Sequence, residues 1–373
     1  MRAQALGGAK LAYALFFALV VFGAALQRPE HNWDMIGYVA SIAAAGGLEG
    51  EALRAATYAD VEASTSARKF AALTGGEGYR GRVYRDPVSL EQQLPFYRIR
   101  TLYLLLVWIA SAFTSTLSHA TVLVSALSGG AILLLACLAL WRRGLAVFLF
   151  APIAALSLGL LALARLSTPD ALAAALALAA LLLMRRRPLA GLALLVVVPL
   201  VRTDFVLLSF LLVFLVERPA RDWRHYALAG AAVVPCVLTN LLAANYGYLA
   251  VFNFTFIDNP LKAYPADMVP SSDAGDYLQA YLRGLSRVAE NKLVFLYAFA
   301  AALAAVSCKG SAPPFWNRAA LLTIAFALLH FGLFPAGFER FYFLATLVAA
   351  LFLLTYLDGR LAAAREAGLR PGL

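Results

Sequence analysis

Ten apolar runs separated by short polar breaks fill most of this chain: residues 11–26, 120–140, 145–163, 171–184, 189–201, 205–216, 226–242, 293–307, 319–333 and 341–357. That pattern leaves little choice of fold. Of the 373 residues, 62% are hydrophobic and only 14% charged. A water-soluble domain of this size could not hide so much apolar surface, so a polytopic membrane protein is expected. Inside lipid every backbone N–H and C=O must be satisfied within the chain, and runs of this length do that as helices. The expectation is therefore all-α, a polytopic membrane helical bundle of about ten spans forming one domain over 1–373. Several runs fall short of the roughly 20 residues of a perpendicular crossing. Helices broken around an internal cavity can be that short.

The net charge of +10 does not mark a nucleic-acid binder, because no basic soluble domain carries it. Arg142, Arg143, Arg185, Arg186, Arg187, Arg218, Arg221, Arg224, Lys309, Arg318 and Arg360 all lie in breaks between apolar runs. Their simplest role is to set the cytoplasmic side. Arg2 and Lys10 ahead of the first run then place the N-terminus in the cytoplasm. A cleaved leader ending near Ala24-Ala25 is the weaker reading of that run, since the later spans need no leader. Cys137, Cys236 and Cys308 are far apart and read as small apolar residues, with no disulfide framework or metal site implied.

Alternation keeps the arginine-rich breaks on one side only if residues 101–113 do not span. The stretch from Tyr97-Arg98-Ile99-Arg100 onward is therefore read as a helix lying in the outer leaflet, as a basic start and aromatic-rich body allow. Residues 27–118 then form a first, large periplasmic loop with interfacial helices. Within it 35–45 and 51–73 read as helical and 75–95 as irregular, with Gly, Pro and Tyr in turn positions. A second periplasmic loop spans 245–291 and contains Asp258-Asn259-Pro260 and Pro270-Ser271-Ser272-Asp273.

The polar residues beside the spans map to the outer face. Asp34 follows the first run in His31-Asn32-Trp33-Asp34, with Tyr38 one turn on. Asp170 stands in Ser167-Thr168-Pro169-Asp170, Arg202 and Asp204 in Val201-Arg202-Thr203-Asp204-Phe205, and Glu339 and Arg340 ahead of Phe341-Tyr342. Carboxylates and arginines gathered at one interface suit a substrate with a lipid tail and a phosphorylated head. The guanidinium fork grips phosphate oxygens, and a carboxylate can take a proton from an attacking hydroxyl.

In this arrangement the chain resembles the GT-C class of membrane glycosyltransferases, the polyprenyl-phosphate-sugar-dependent enzymes related to protein mannosyltransferases and aminoarabinose transferases. Asn32-Trp33-Asp34 and Tyr38 stand where that class carries its catalytic Asp. The stretch from Leu94-Pro95-Phe96-Tyr97-Arg98 to Phe113 is similar to its surface helix, Pro169-Asp170 to its second acidic residue, and Arg202 and Arg340-Phe341-Tyr342 to its outer arginines. The likeness covers most of the chain as an architecture, on motifs that are each short. It implies inverting transfer from an undecaprenyl-phosphate-linked sugar to a lipid, glycan or protein acceptor. Asp34 would be the general base and Asp170 would orient the acceptor or a basic partner. Arg202 or Arg340, with Arg98 and Arg100, would neutralise the leaving phosphate. Trp33, Tyr38, Asp204, Glu339 and Tyr342 complete the implied binding set. The first outer loop lacks an Asp-x-Asp metal motif and the chain lacks the large soluble C-terminal domain some members carry. No cofactor is expected, although nothing forbids a divalent ion.

Each residue also has a plainer reading. Asp34 and Asp170 would serve as N-caps of the helices that follow them. Arg202 with Asp204 would be a structural pair at a helix break, and Glu339-Arg340 an interfacial anchor. Arg98 and Arg100 would snorkel to headgroups. His31, His119, His225 and His330 are too scattered for a metal cluster. The rival functions are a flippase or transporter for a lipid-linked sugar, a glycan polymerase or ligase, and a non-enzymatic scaffold. Abundant Ala, Leu and Arg suggest a GC-rich bacterium and hence its inner membrane, with the site facing the periplasm.

Overall fold

The computed structural model describes residues 2–216, 222–257, 262–291, 293–307, 315–337 and 339–367. Arg218, Arg221, Cys308, Lys309, Phe338, the 258–260 segment and the side chain of Arg2 lie outside that description. Regular structure in the described residues is helical throughout. Among the described residues the one β-type contact is an isolated bridge between Glu30 and Leu166. Five helices are long and apolar enough to cross a membrane: Gln4–Gln27, Leu117–Ala139, Trp223–Leu242, Phe315–Leu333 and Glu339–Glu366. The number reaches seven if each of two sharply bent pairs counts as one. The remaining apolar runs form the shorter helices Leu145–Ser157, Asp170–Met184, Pro188–Leu200 and Thr203–Leu215. The 145–163 run is not one helix, since Gly159 adopts φ +91° and separates Leu145–Ser157 from Leu160–Arg165. A side chain there would be strained.

The Leu117–Ala139 helix forms the axis of the bundle and touches the first helix, Asp170–Met184 and Leu160–Arg165. Small residues make the close approach possible. A Cβ on Gly129 would lie 2.4 Å from the Ala164 side chain, and one on Gly130 3.2 Å from the carbonyl of Ala18. Both ends of this helix are satisfied by other elements. Asp60 accepts the backbone N–H of Leu117 at 2.7 Å and of Ser118 at 2.9 Å. At the opposite end the buried Lys10 ammonium donates to the carbonyls of Trp141 (2.9 Å) and Arg143 (3.2 Å). An anion at the N-terminus and a cation at the C-terminus both complement the helix dipole.

The two ends of the bundle differ in what covers them. At the Lys10 end Arg143 pairs with Asp358 at 3.8 Å, and Arg185 lies over the rings of Phe315 and Trp316. At the Asp60 end the 27–118 region forms a helical cap with its own core of Met35, Ile36, Val39, Leu53, Val61, Leu73, Val83 and Leu90. Two expectations are corrected here. The 51–73 stretch breaks into Gly50–Ser64 and Ala67–Thr74, because Ser66 caps the second by accepting from the Lys69 N–H. The 75–95 stretch is largely helical, as Tyr79–Arg85 and Pro87–Gln93. Asp86 caps the latter by accepting the Val88 N–H, and Pro87 sits at its first position, where its missing N–H costs nothing.

Pro87–Arg98 and Thr101–Phe113 meet at 106°. The 245–291 region adds the helices Tyr248–Phe256 and Ala274–Ala289. It is bound to the first cap through Asn245 Nδ2 to the Pro95 carbonyl (2.9 Å) and Tyr246 OH to the Gln92 carbonyl (3.1 Å).

Candidate active site

The segment leaving the first helix is held against the 165–168 segment before it reaches Asp34. The Glu30 N–H donates to the Arg165 carbonyl at 2.8 Å, and the Asn32 Oδ1 accepts the Ser167 N–H at 3.1 Å. Asn32 Nδ2 then donates to Asp34 Oδ2 at 3.0 Å. Asp34 is the first residue of the Asp34–Ala45 helix, and no side chain caps that helix. The same holds for Asp170 at the start of Asp170–Met184. Neither carboxylate is spent on a cap, so both are turned to partners elsewhere.

Those partners form one connected chain of alternating charge. Arg340 Nη1 donates to Asp34 Oδ2 at 2.9 Å, and its Nε lies 3.6 Å from Asp170 Oδ2. Asp170 Oδ1 in turn accepts a short hydrogen bond from Arg202 Nη1. The rest of the Arg202 fork grips Asp204, Nε to Oδ1 at 3.0 Å and Nη2 to Oδ2 at 2.8 Å. His330 Nε2 closes the inner end, 3.2 Å from Asp204 Oδ2 and 3.4 Å from Arg202 Nη2. Side-chain exposure is 27% at Asp34 and 22% at Arg340, but 3% at Asp170 and 8% at Arg202. Asp204 is again 24% exposed and His330 4%, so the chain is most buried at Asp170, Arg202 and His330. Charges taken out of water persist only when paired and hydrogen-bonded, and this chain meets that condition group by group. The Phe341 ring supports both cations, with Arg202 at 4.5 Å and Arg340 at 5.0 Å from its centroid.

Asp34 and Arg340 open onto a cleft of about 600 Å³. Its lining combines apolar residues, Leu158, Ala162, Leu163, Leu166 and Phe343, with the polar Glu30, Asn32, Trp33, Arg80 and Glu339. Gly159 at the helix break also lines the cleft. The Trp33 indole donates to Tyr79 OH at 3.3 Å, Tyr79 donates to Gln93 Oε1 at 3.0 Å, and Arg80 lies over the indole at 5.5 Å. Burial pushes the Tyr79 phenol well above its ordinary value, so it stays protonated and can donate in this relay.

Five sequence candidates therefore meet in the charge chain: Asp34, Asp170, Arg202, Asp204 and Arg340. Trp33 and Glu339 line the cleft, with Glu339 also accepting from Asn291 Nδ2 at 3.3 Å. Tyr38 is buried, edge-on to Tyr97 and Tyr103 at 5.3 and 4.9 Å, and is a support rather than a lining residue. Tyr342 donates to the Ala336 carbonyl at 2.7 Å and shapes the turn before Arg340. Arg100 donates to the Phe96 carbonyl at 2.5 Å and lies within electrostatic reach of Asp170, while Arg98 is exposed and makes no ion pair among the described residues. Sequence reasoning passed over His330, Arg80 and Glu30. In the sequence His330 reads as too isolated for a metal cluster and as a hydrogen-bonded spectator, and an imidazole near the end of an apolar helix is itself a signal for a buried polar partner.

His31 lies outside this chain. It is buried, its Nδ1 is 3.2 Å from the Met35 sulfur, and its ring is 6.2 Å from that of His119. Burial, with the nearby His119 and Lys69 charges, lowers its pKa to about 4. Among the described residues no group of three or more His, Cys, Asp or Glu is arranged to hold a metal ion. No protein family model, curated protein or solved structure matches the chain.

Proposed function

We propose that this chain is a membrane glycosyltransferase of the GT-C type. It would move a sugar from a polyprenyl-phosphate donor to a lipid, glycan or protein acceptor at the periplasmic face of a bacterial inner membrane. The observation that carries the proposal is the cleft: a lining of mixed apolar and charged residues, with a carboxylate and a guanidinium in contact on it. Such a cleft fits a molecule that is half lipid and half phosphorylated sugar. In this reading the ten helical runs all cross, the basic end faces the cytoplasm, and Thr101–Phe113 lies in the outer leaflet.

The proposed step is a single inverting displacement. The acceptor oxygen bonds to the anomeric carbon as the bond from that carbon to the phosphate oxygen breaks. Asp34 takes the acceptor proton, and the lipid phosphate leaves with the bonding electrons. General-base help of this kind contributes about 10²–10⁴-fold. Arg340 and Arg80, both on the cleft, neutralise the departing phosphate, with Arg100 behind them. Arg202 has its fork committed to Asp170 and Asp204, so its part is to hold Asp170 and through it Arg340. Asp170 is thus an orienting group, not a second base.

A transporter or flippase for the same lipid-linked sugar is the second reading, favoured by one observation: the charge chain includes the buried His330, as relays in transporters do. Reconstitution into vesicles with a radiolabelled polyprenyl-phosphate sugar separates the two. Label moving onto an acceptor supports the transferase, and label crossing the bilayer still attached to its lipid supports the flippase.

A further inference from the structure

The helix Ala274–Ala289 carries two rows of side chains that the proposed chemistry does not use. Leu278, Leu282 and Leu285, spaced by four and three, are 61%, 56% and 56% exposed. Arg283 and Arg287, four apart, form the second row. Open leucines with arginines on the same helix are the pattern of a helix lying in a bilayer surface. The apolar helix that follows, Leu293–Ser307, departs at 80° and turns Phe295 and Phe299 outward. With that helix upright in lipid, Ala274–Ala289 lies along the surface.

The arginine row borders a cavity of about 140 Å³, closed by the Thr255-Phe256 end of Tyr248–Phe256 and by Pro335. No acidic residue lines it, and neither arginine makes an ion pair among the described residues. Like charges four apart on a helix repel, so an anion shared between them is favoured. Both arginines are held by local fit. Arg283 Nη2 donates to the Phe256 carbonyl at 2.8 Å. The Arg287 stem rests on Gly337, where an added Cβ would lie 2.7 Å from the Arg287 Cβ and 3.4 Å from its Cδ. Gly284 lets the helix close on Pro335, since a Cβ there would come 2.4 Å from the Pro335 carbonyl oxygen. The cavity is below the roughly 300 Å³ at which sites for whole small molecules begin. It suits a single phosphate, whose oxygens the guanidinium fork matches.

We propose that this cavity binds the phosphate of an anionic membrane phospholipid, with Arg283 and Arg287 on the phosphate and the leucine row among the acyl chains. The phospholipid is a bound partner that is not consumed. Its site is separate from the cleft but borders it along the chain: Pro335 lines the cavity, Gly337 lines the cleft, and Arg340 follows. A phospholipid held by Arg287 steadies the 335–337 segment on which that side chain rests, and with it the approach of Arg340 to Asp34. Binding does not depend on the glycosyltransferase reading; only its effect on transfer rests on that reading.

The test uses the full-length protein in nanodiscs of phosphatidylcholine with a rising share of phosphatidylglycerol. Wild type is compared with R283Q/R287Q and with R68Q/R85Q, which removes two exposed arginines outside the site. The wild-type melting temperature rises with phosphatidylglycerol, and native mass spectrometry finds that lipid retained. At about fivefold in affinity for each surface arginine, R283Q/R287Q needs about 25-fold more phosphatidylglycerol for the same rise, while R68Q/R85Q follows wild type. Should the double variant not fold, R287Q alone is read, with a loss of about fivefold. A wild-type protein indifferent to phosphatidylglycerol, an unchanged response in R283Q/R287Q, or an equal loss in R68Q/R85Q overturns the site. Inorganic phosphate giving the same rise in pure phosphatidylcholine makes the ligand a free anion and overturns the lipid assignment. Transfer assayed in the same nanodiscs rises with phosphatidylglycerol in wild type and not in R283Q/R287Q. Transfer that ignores a lipid shown to bind overturns the link to Arg340. A protein that binds the lipid and transfers no sugar in any mixture supports the site and removes the glycosyltransferase reading.

Discussion

Arg340 donates from Nη1 to the Asp34 carboxylate at 2.9 Å across 306 positions of sequence. Two residues near opposite ends of the sequence are thereby placed beside the same cleft. A carboxylate held this way is oriented and still reachable from the cleft, two conditions a general base must meet.

Replacing Arg340 tests the fork separately from the charge. Arg340→Lys keeps a cation but cannot span Asp34 and Asp170 together. Transfer is expected to fall by about 10²-fold or more, as for other preorganised charge-stabilising donors, with less effect on the melting temperature. Steady-state rates and thermal unfolding on one preparation check both parts.

Arg202 is expected to matter more for folding than for binding. Arg202→Leu strands Asp170 and Asp204 without their common cation. Breaking a buried pair from one side costs about 3–5 kcal/mol. A lower unfolding midpoint with reduced yield is the expected outcome, while donor affinity in the surviving folded fraction changes little.

Gly37 sits where the buried Tyr97 ring presses on the Asp34–Ala45 helix. A Cβ there would come within 2.3 Å of that ring. Gly37→Ala should displace Tyr97, and with it the Tyr38 contact, at an overpacking cost of about 1–3 kcal/mol. Thermal unfolding checks this against Gly8→Ala, where the added methyl meets nothing within 4 Å.

His31 gives a pH prediction of definite sign. Its folded pKa of about 4 lies below the ordinary histidine value of 6.5. The unfolded chain therefore binds a proton that the folded one refuses between those values, and folding stability falls as pH drops through that window. His31→Phe should flatten the fall of melting temperature between pH 6.5 and 4. A variant as acid-sensitive as wild type would remove His31 from this role.

Much of the outline was legible because a charge among apolar residues stands out. Asp34, Asp170, Arg202, Asp204 and Arg340 each stand in a short polar segment beside a hydrophobic run, and lipid penalises charge at such places unless it is matched. Their mutual pairing was not legible, since it joins elements far apart in sequence and no local pattern encodes it. The commitment of Arg202 to two carboxylates followed only from the geometry. Arg98 looked equivalent to Arg100 because local sequence does not show which face of a short helix turns inward. Helices in 75–95 were missed because Gly and Pro were counted as turn formers, whereas Pro87 and Pro95 each begin a helical turn. The break at Gly159 was hidden for the opposite reason, as one glycine among alanines and leucines does not interrupt an apolar run.

The most direct measurement is single-turnover transfer from a radiolabelled polyprenyl-phosphate sugar by wild type and by Asp34→Asn, with equal donor binding and equal melting temperatures verified beforehand. The account predicts that the asparagine variant binds donor but slows transfer by about 10²–10⁴-fold. Transfer at the wild-type rate by that variant would contradict it.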